Sequence, residues 1–128
     1  EWLKQASYQD MEKDVSGEIK KLLQPGLKVD AFFFATNTLA VESLRVINKS
    51  GIKVPEDLAL ISFDESDAFD FFYSPLSYVS QSIEDIGTGA ITLVVDRINN
   101  HEKKYETIVV EAKLVLRQSS GEKSKKIK

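Results

Sequence analysis

Short, continuous apolar segments alternate along the chain with longer segments whose apolar residues recur at helical spacing. The apolar segments are residues 31–35, 58–63 and 76–80, and the helical patterns cover residues 10–23, 38–48 and 83–99. Strands that are apolar throughout, with helices between them, are typical of a parallel sheet covered on both sides. The sequence therefore predicts an α/β fold, with a parallel sheet and helices on both faces.

Three further segments have weaker strand patterns. Residues 2–7 predict a short strand near the start, and residues 107–110 and 113–117 predict two strands around a kink. A chain of 128 residues, 42% hydrophobic and 29% charged, has the size and composition of one globular domain or part of one.

Composition excludes several classes of site. The chain has no cysteine, which rules out disulfides, thiolate metal sites and cysteine nucleophiles. Its apolar runs are far shorter than the roughly 18 residues of a membrane-spanning helix, so no membrane partner is expected. Residues 118–128 hold four lysines and one glutamate, which leaves a net charge of −6 on residues 1–117. We expect residues 118–128 to be a basic flexible tail, and the acidic body to avoid nucleic acid.

Polar side chains follow three of the predicted strands. Asn37, Asp64 and Gln81 come just after the strands that end near residues 35, 63 and 80. In parallel α/β sheets, ligands bind outside the carboxyl ends of the strands. Carboxylate and amide groups at this edge suit hydroxyl-rich or amide-like ligands. The alternative is local: Asn37 and Thr38 are good N-caps for the next helix, and Asp64 could cap a short helix at residues 66–72.

Several motifs in combination resemble one family. They are a strand ending in "ATN", then "GIKVPEDL", then a strand ending in "FD", then "PLSYVSQ" and finally "LVLRQSS". This series resembles the C-terminal part of the sensor domain of LacI/GalR-type transcription regulators. The resemblance implies the C-terminal subdomain of a type I periplasmic-binding-protein-like fold.

The resemblance also implies roles for five residues. Asn37 and Asp64 match positions that contact a small-molecule effector of the sugar or nucleobase class, and Gln81 matches a third position near the hinge. Ile83 lies where an apolar or aromatic residue lines the pocket. Tyr8 corresponds to an aromatic residue that stacks on the ligand.

The aromatic residues after Asp64 resemble part of a subunit interface. Phe69, Phe71, Phe72 and Tyr73 would then be exposed on a monomer and buried in a homodimer. The alternative is that two of the four complete the core of the domain itself.

The resemblance further implies that residues 1–117 form a partial effector-sensing domain. Its helix at residues 83–99 would belong with an N-terminal subdomain outside this chain. We expect that helix to pack abnormally, to swap between copies or to drive oligomerisation. Operator DNA would be bound through a headpiece absent from this chain, in a cytoplasmic regulator.

An enzyme is not expected, and no cofactor or metal site is predicted. The single histidine, His101, lies just past a predicted helix end, where a surface role accounts for it. Another interpretation is an extracellular or periplasmic sugar-binding protein of the same fold.

Overall fold

The computed structural model describes residues 3–7, 9–24, 26 and 29–121. Its elements, in chain order, are α1 (Met11–Leu22), β1 (Ala31–Phe34), α2 (Asn37–Ser50), β2 (Ala59–Phe63), a 3₁₀ helix (Asp67–Phe71), β3 (Ser77–Ser80), α3 (Ile83–Asn99), β4 (Lys113–Val115) and a second 3₁₀ helix (Gln118–Ser120). No helix in this part of the chain is both long and apolar enough to cross a membrane.

Side-chain caps fix where the helices begin. Thr36 accepts a hydrogen bond from the backbone N–H of Leu39 at the start of α2, and Ser82 accepts one from Asp85 at the start of α3. Each cap pairs an N–H group that a helix end leaves without an internal partner. Gly51, with φ of 78°, ends α2 in the left-handed conformation that glycine adopts without steric strain.

The sheet has the order β1-β2-β3-β4. β1, β2 and β3 are parallel, as predicted, whereas β4 runs antiparallel to β3. The reason lies in the connection: α3 leaves from the carboxyl end of β3, and the chain then returns beside it, with Tyr105 next to Arg97 and Ile108 next to Gly89. The chain therefore re-enters the sheet at the same edge, where Lys113 pairs with Ser80.

A core lies between the sheet and the helix pair formed by α1 and α2. It contains Val15, Ile19, Phe32, Phe34, Ala40, Leu44, Ile47, Val54, Leu58, Leu60, Phe69, Phe72 and Leu76. The α/β class, with a sheet flanked by helices, is confirmed. In the edge strand β1, residues alternate between buried and exposed, and the Phe33 side chain is 61% exposed.

α3 has no extensive packing on the sheet. None of its residues is buried, and an apolar stripe that includes Ile91 and Val94 is exposed. Its neighbours are in the return segment: Arg97 lies 4.1 Å from the Tyr105 ring, and Lys103 forms an ion pair with Asp96. The hydrogen bond to Asp96 raises the pKa of Lys103.

Three predictions about the ends and connections are wrong. Residues 3–7 and 107–110 form no strand, because neither segment pairs with a neighbour in the described part of the sheet. The expected tail does not begin at residue 118, since Gln118–Ser120 is a 3₁₀ helix in which Ser119 is fully buried. Ser119 donates a hydrogen bond to the carbonyl of Leu60 and accepts one from the N–H of Ser77.

Candidate functional site

The three predicted polar residues lie at one edge of the sheet. β1, β2 and β3 are parallel, so their carboxyl ends meet there. Asn37 is the first residue of α2, Asp64 directly follows β2 and Gln81 directly follows β3. We call this edge, with Asn37, Asp64, Glu65, Ser80 and Gln81, the polar rim.

Asp64 and Gln81 are in direct contact. The side-chain amide of Gln81 donates a hydrogen bond of 2.7 Å to Oδ1 of Asp64. The backbone N–H of Asp64 also donates to the carbonyl of Val79 at 3.0 Å, which prolongs the pairing of β2 and β3 by one residue. These two bonds hold the Asp64 carboxylate at the carboxyl ends of the strands. Its second oxygen, Oδ2, can accept a hydrogen bond from a ligand.

The backbone of Asp64 has φ of 66°, the one positive value at a non-glycine among the residues described. Aspartate is one of the few residues that adopt this left-handed conformation readily. The conformation turns the chain sharply at the end of β2. Non-glycine residues in the left-handed conformation cluster at functional sites, so this backbone is a reason to test the rim for function.

Asn37 is fixed by the segment that follows Asp64. Its side-chain amide donates a hydrogen bond of 3.0 Å to the carbonyl of Glu65, 28 residues further along the chain. Its Oδ1 accepts from the Thr38 hydroxyl at 3.3 Å. The start of α2 and the end of β2 are therefore joined at the rim.

The capping alternative for these residues is not what the structure shows. Thr36, rather than Asn37 or Thr38, caps α2, and Ser66, rather than Asp64, caps the first 3₁₀ helix. Ser82 caps α3, immediately after Gln81. Local capping thus accounts for none of the three rim side chains.

Sequence reasoning missed two members of the rim. Oγ of Ser80 lies 3.5 Å from Oε2 of Glu65, which places that carboxylate over the end of β3. Both residues are adjacent to a predicted one, since Glu65 follows Asp64 and Ser80 precedes Gln81. Their positions just outside the strands were the signal that could have identified them.

The other two predicted ligand contacts, Ile83 and Tyr8, are not part of the polar rim. Ile83 begins α3, two residues after Gln81, and its side chain is 72% exposed. The Ile83 side chain is therefore accessible to a ligand or to another part of the protein. Tyr8 lies outside the described residues.

The aromatic residues after the rim divide into two pairs. Phe69 and Phe72 are buried in the core, so the expectation that all four are exposed on a monomer is wrong for them. Their rings complete the core next to Tyr78 and Tyr73. Phe71, 88% exposed, faces solvent.

Tyr73 is partly exposed but its hydroxyl is anchored. The hydroxyl accepts a hydrogen bond of 2.8 Å from the N–H of Val54 and donates one of 3.1 Å to the carbonyl of Ile52. Its ring edge remains accessible, at 57% exposure for the residue. Phe71 and Tyr73 are the two aromatic residues of this loop that a partner could still contact.

The chemistry of the rim is that of hydrogen bonding. Residues 3–7, 9–24, 26 and 29–121 contain no group of three or more histidine, cysteine or acidic side chains arranged to hold a metal ion. Carboxylates accept from hydroxyl groups, whereas amides both donate and accept. Such a set matches the alternating donors and acceptors of a hydroxyl-rich molecule.

The family model of the periplasmic binding protein-like domain matches residues 2–120. The chain belongs to this family. Among curated proteins, the chain is similar to the ribose operon repressor of Haemophilus influenzae, which is 30% identical over 118 residues, 92% of this chain and 35% of that protein. The HTH-type transcriptional regulator CelR of Thermobifida fusca is 33% identical over 114 residues, 88% of this chain and 34% of that protein.

Solved structures agree with this assignment. The structure of the transcriptional regulator CelR in complex with cellobiose is similar to this chain, with a TM-score of 0.74 and 31% identity, over 85% of this chain and 33% of that one. A LacI-family regulator from Enterococcus faecium with bound ribose shares the fold, with a TM-score of 0.72 and 24% identity, over 85% of this chain and 40% of that one. The resemblance to LacI-type sensors is confirmed. The chain spans about a third of the length of its curated relatives.

Proposed function

We propose that this chain is the effector-binding and dimerisation part of a bacterial LacI-type transcription regulator that senses a sugar or a similar small metabolite. The observation that carries the proposal is the polar rim, where Gln81 donates a hydrogen bond to Asp64 and Asn37 donates one to the carbonyl of the next residue, Glu65. Relatives that are transcription regulators, one of them solved with cellobiose, support the class of ligand.

Each rim residue has a distinct role in this proposal. Asp64 is the main polar anchor, because an ionised carboxylate makes the strongest hydrogen bonds to hydroxyl groups. Asn37 orients the ligand from the start of α2. Gln81 lies on the connection to α3, so it links the ligand to the hinge, and Ile83 and Tyr8 supply apolar and stacking contacts.

The mechanism is a ligand-biased closure between two subdomains. A ligand held by this rim and by the opposite subdomain favours the orientation in which both sets of contacts form. In a homodimer, that orientation changes the spacing of the two DNA-binding headpieces, which couples ligand binding to operator affinity. The exposed stripe of α3 belongs, in this arrangement, against the opposite subdomain.

The proposal places the protein in the cytoplasm and assigns it no enzymatic activity. Its acidic body makes operator contact through a separate headpiece the consistent arrangement. The alternative of an extracellular sugar-binding protein shares the fold and the rim. The regulator is favoured because the curated relatives are repressors and regulators of transcription.

The test uses the full-length protein and a labelled fragment of its own promoter region. Fluorescence anisotropy gives operator affinity with and without uncharged sugars such as ribose, glucose and cellobiose. The proposal predicts salt-sensitive DNA binding that at least one such metabolite changes by about five- to 150-fold. A full-length protein that binds the sugar but not DNA would instead establish the extracellular class.

A further inference from the structure

Carboxylates surround the polar rim. Asp64 and Glu65 belong to it, Asp67 begins the following 3₁₀ helix, and Glu84 and Asp85 stand in the first turn of α3. The sequence contains no lysine, arginine or histidine between Lys53 and Arg97. The segment that contributes most of the rim therefore carries carboxylates and no basic side chain.

Contacts within the rim fix the Asp64 and Glu65 carboxylates at the ends of β2 and β3, close to the start of α3. The Gln81 amide touches Asp64, and Oε2 of Glu65 lies over Ser80, the residue before Gln81. Ser82 caps α3 directly after Gln81, so the acidic first turn of α3 begins beside the same contact. A ligand that reaches Asp64 comes close to several formal negative charges.

The rim carries less positive charge than negative charge. The amino end of α2 has no acidic residue in its first turn, and the ends of α2 and α3 each contribute roughly half a positive charge. Lys113, the register partner of Ser80, contributes one more. Set against five carboxylates, these leave about three negative charges in excess.

We infer that the rim takes an uncharged, hydroxyl-rich ligand and rejects phosphorylated or carboxylated ones. A phosphate monoester carries about −1.5 to −2 charges at neutral pH, and closure over it would remove the water that screens the repulsion. The inference rests on the proposed sensing function and narrows its ligand class.

The first experiment measures the potential without any ligand. Amide-proton relaxation in this chain is recorded with a cationic and, separately, an anionic nitroxide cosolute. We expect the cation to relax the amides of residues 64–66 and 81–83 at least about twofold more than the anion at physiological ionic strength. Equal relaxation, or stronger relaxation by the anion, would overturn the inference.

Matched variants locate the source of that potential. Glu65→Gln should bring the two relaxation rates closer at residues 64–66, because it removes one rim carboxylate. Glu56→Gln makes the same change in the exposed turn before β2, at the opposite edge of the sheet, and should leave the rim unaltered. An equal response to both substitutions would contradict the assignment to the rim.

The second experiment compares ligand pairs on the full-length protein by thermal shift. Glucose is paired with glucose 6-phosphate and glucuronate, and ribose with ribose 5-phosphate, because binding to the folded state raises the melting temperature. We expect the uncharged member alone to stabilise the protein. Stronger stabilisation by an anionic member, abolished in Lys113→Gln, would overturn the inference and leave sensing intact. No response to any sugar, charged or uncharged, would overturn the sensing function itself.

Discussion

The side-chain amide of Gln81 donates a 2.7 Å hydrogen bond to Oδ1 of Asp64, across 17 residues of sequence. The bond joins the end of β2 to the connection that leads from β3 into α3. A ligand held by Asp64 therefore acts next to the segment through which the chain leaves this part of the fold. In the proposed function, this pair of side chains links ligand binding to the position of the hinge.

Gln81→Ala should separate binding from response in the full-length protein. The ligand retains Asp64 and Asn37, so its affinity should fall by less than about tenfold, the loss of roughly one hydrogen bond. The ligand-induced change in operator affinity should fall much more. Calorimetry and operator anisotropy measure the two quantities, and a parallel loss of both would place Gln81 in binding alone.

The left-handed backbone of Asp64 predicts an order among substitutions. Asp64→Asn and Asp64→Gly suit φ of 66° and should leave the free energy of unfolding within about 0.5 kcal/mol. Asp64→Val should lower it by roughly 1–2 kcal/mol, because a β-branched side chain collides with its own backbone there. Urea unfolding followed by circular dichroism measures this, and equal stability of the valine and glycine variants would disprove the strain argument.

Ser119→Ala should destabilise the fold. It removes the hydroxyl that bonds to both the carbonyl of Leu60 and the N–H of Ser77, in a fully buried position. We expect a loss of about 1–3 kcal/mol. Ser16→Ala, on the partly exposed surface of α1, is the control and should change stability by less than about 0.5 kcal/mol. Similar losses of stability in the two variants would mean that the hydrogen bonds of Ser119 do not stabilise the fold.

Much of the fold could be predicted because its signals are local and repeated. The bounds of α3, Ile83–Asn99, were predicted from the apolar spacing alone, and α1, α2 and the first three strands were predicted to within a few residues. The rim followed from the rule that parallel strands end at one edge. The same rule predicts the shared location of Asn37, Asp64 and Gln81 from their positions in the sequence alone.

The remainder depended on information that no local pattern carries. The direction of β4 is set by the course of α3 and residues 103–110, and nothing in the apolar sequence of β4 specifies which way it pairs. Phe69 and Phe71 are both aromatic, yet the 3₁₀ helix turns one inward and the other outward. The burial of Ser119 depends on partners in β2 and β3, more than 40 residues away.

Phe71→Ala tests the predicted homodimer interface. The side chain is almost fully exposed, so its loss should change the unfolding free energy of the monomer by no more than about 0.5 kcal/mol. In a dimer that buries this ring, the same change should raise the dissociation constant about fivefold or more. Analytical ultracentrifugation of the full-length protein measures this dissociation constant.

Phe72→Ala is the contrast, because truncating a core ring should destabilise the monomer by about 3–5 kcal/mol. An unchanged dimer in Phe71→Ala would remove this residue from the interface.

The most direct test of the account is the melting temperature of the full-length protein with ribose, glucose, cellobiose and related uncharged sugars, in the wild type, Asp64→Ala and Glu56→Ala. Loss of a charged hydrogen-bond partner should weaken binding roughly ten- to hundredfold. We predict that at least one sugar raises the melting temperature of the wild type and of Glu56→Ala, and that this rise is lost in Asp64→Ala. An equal rise in all three proteins would contradict the account, because the ligand would then bind without the carboxylate at the centre of the rim.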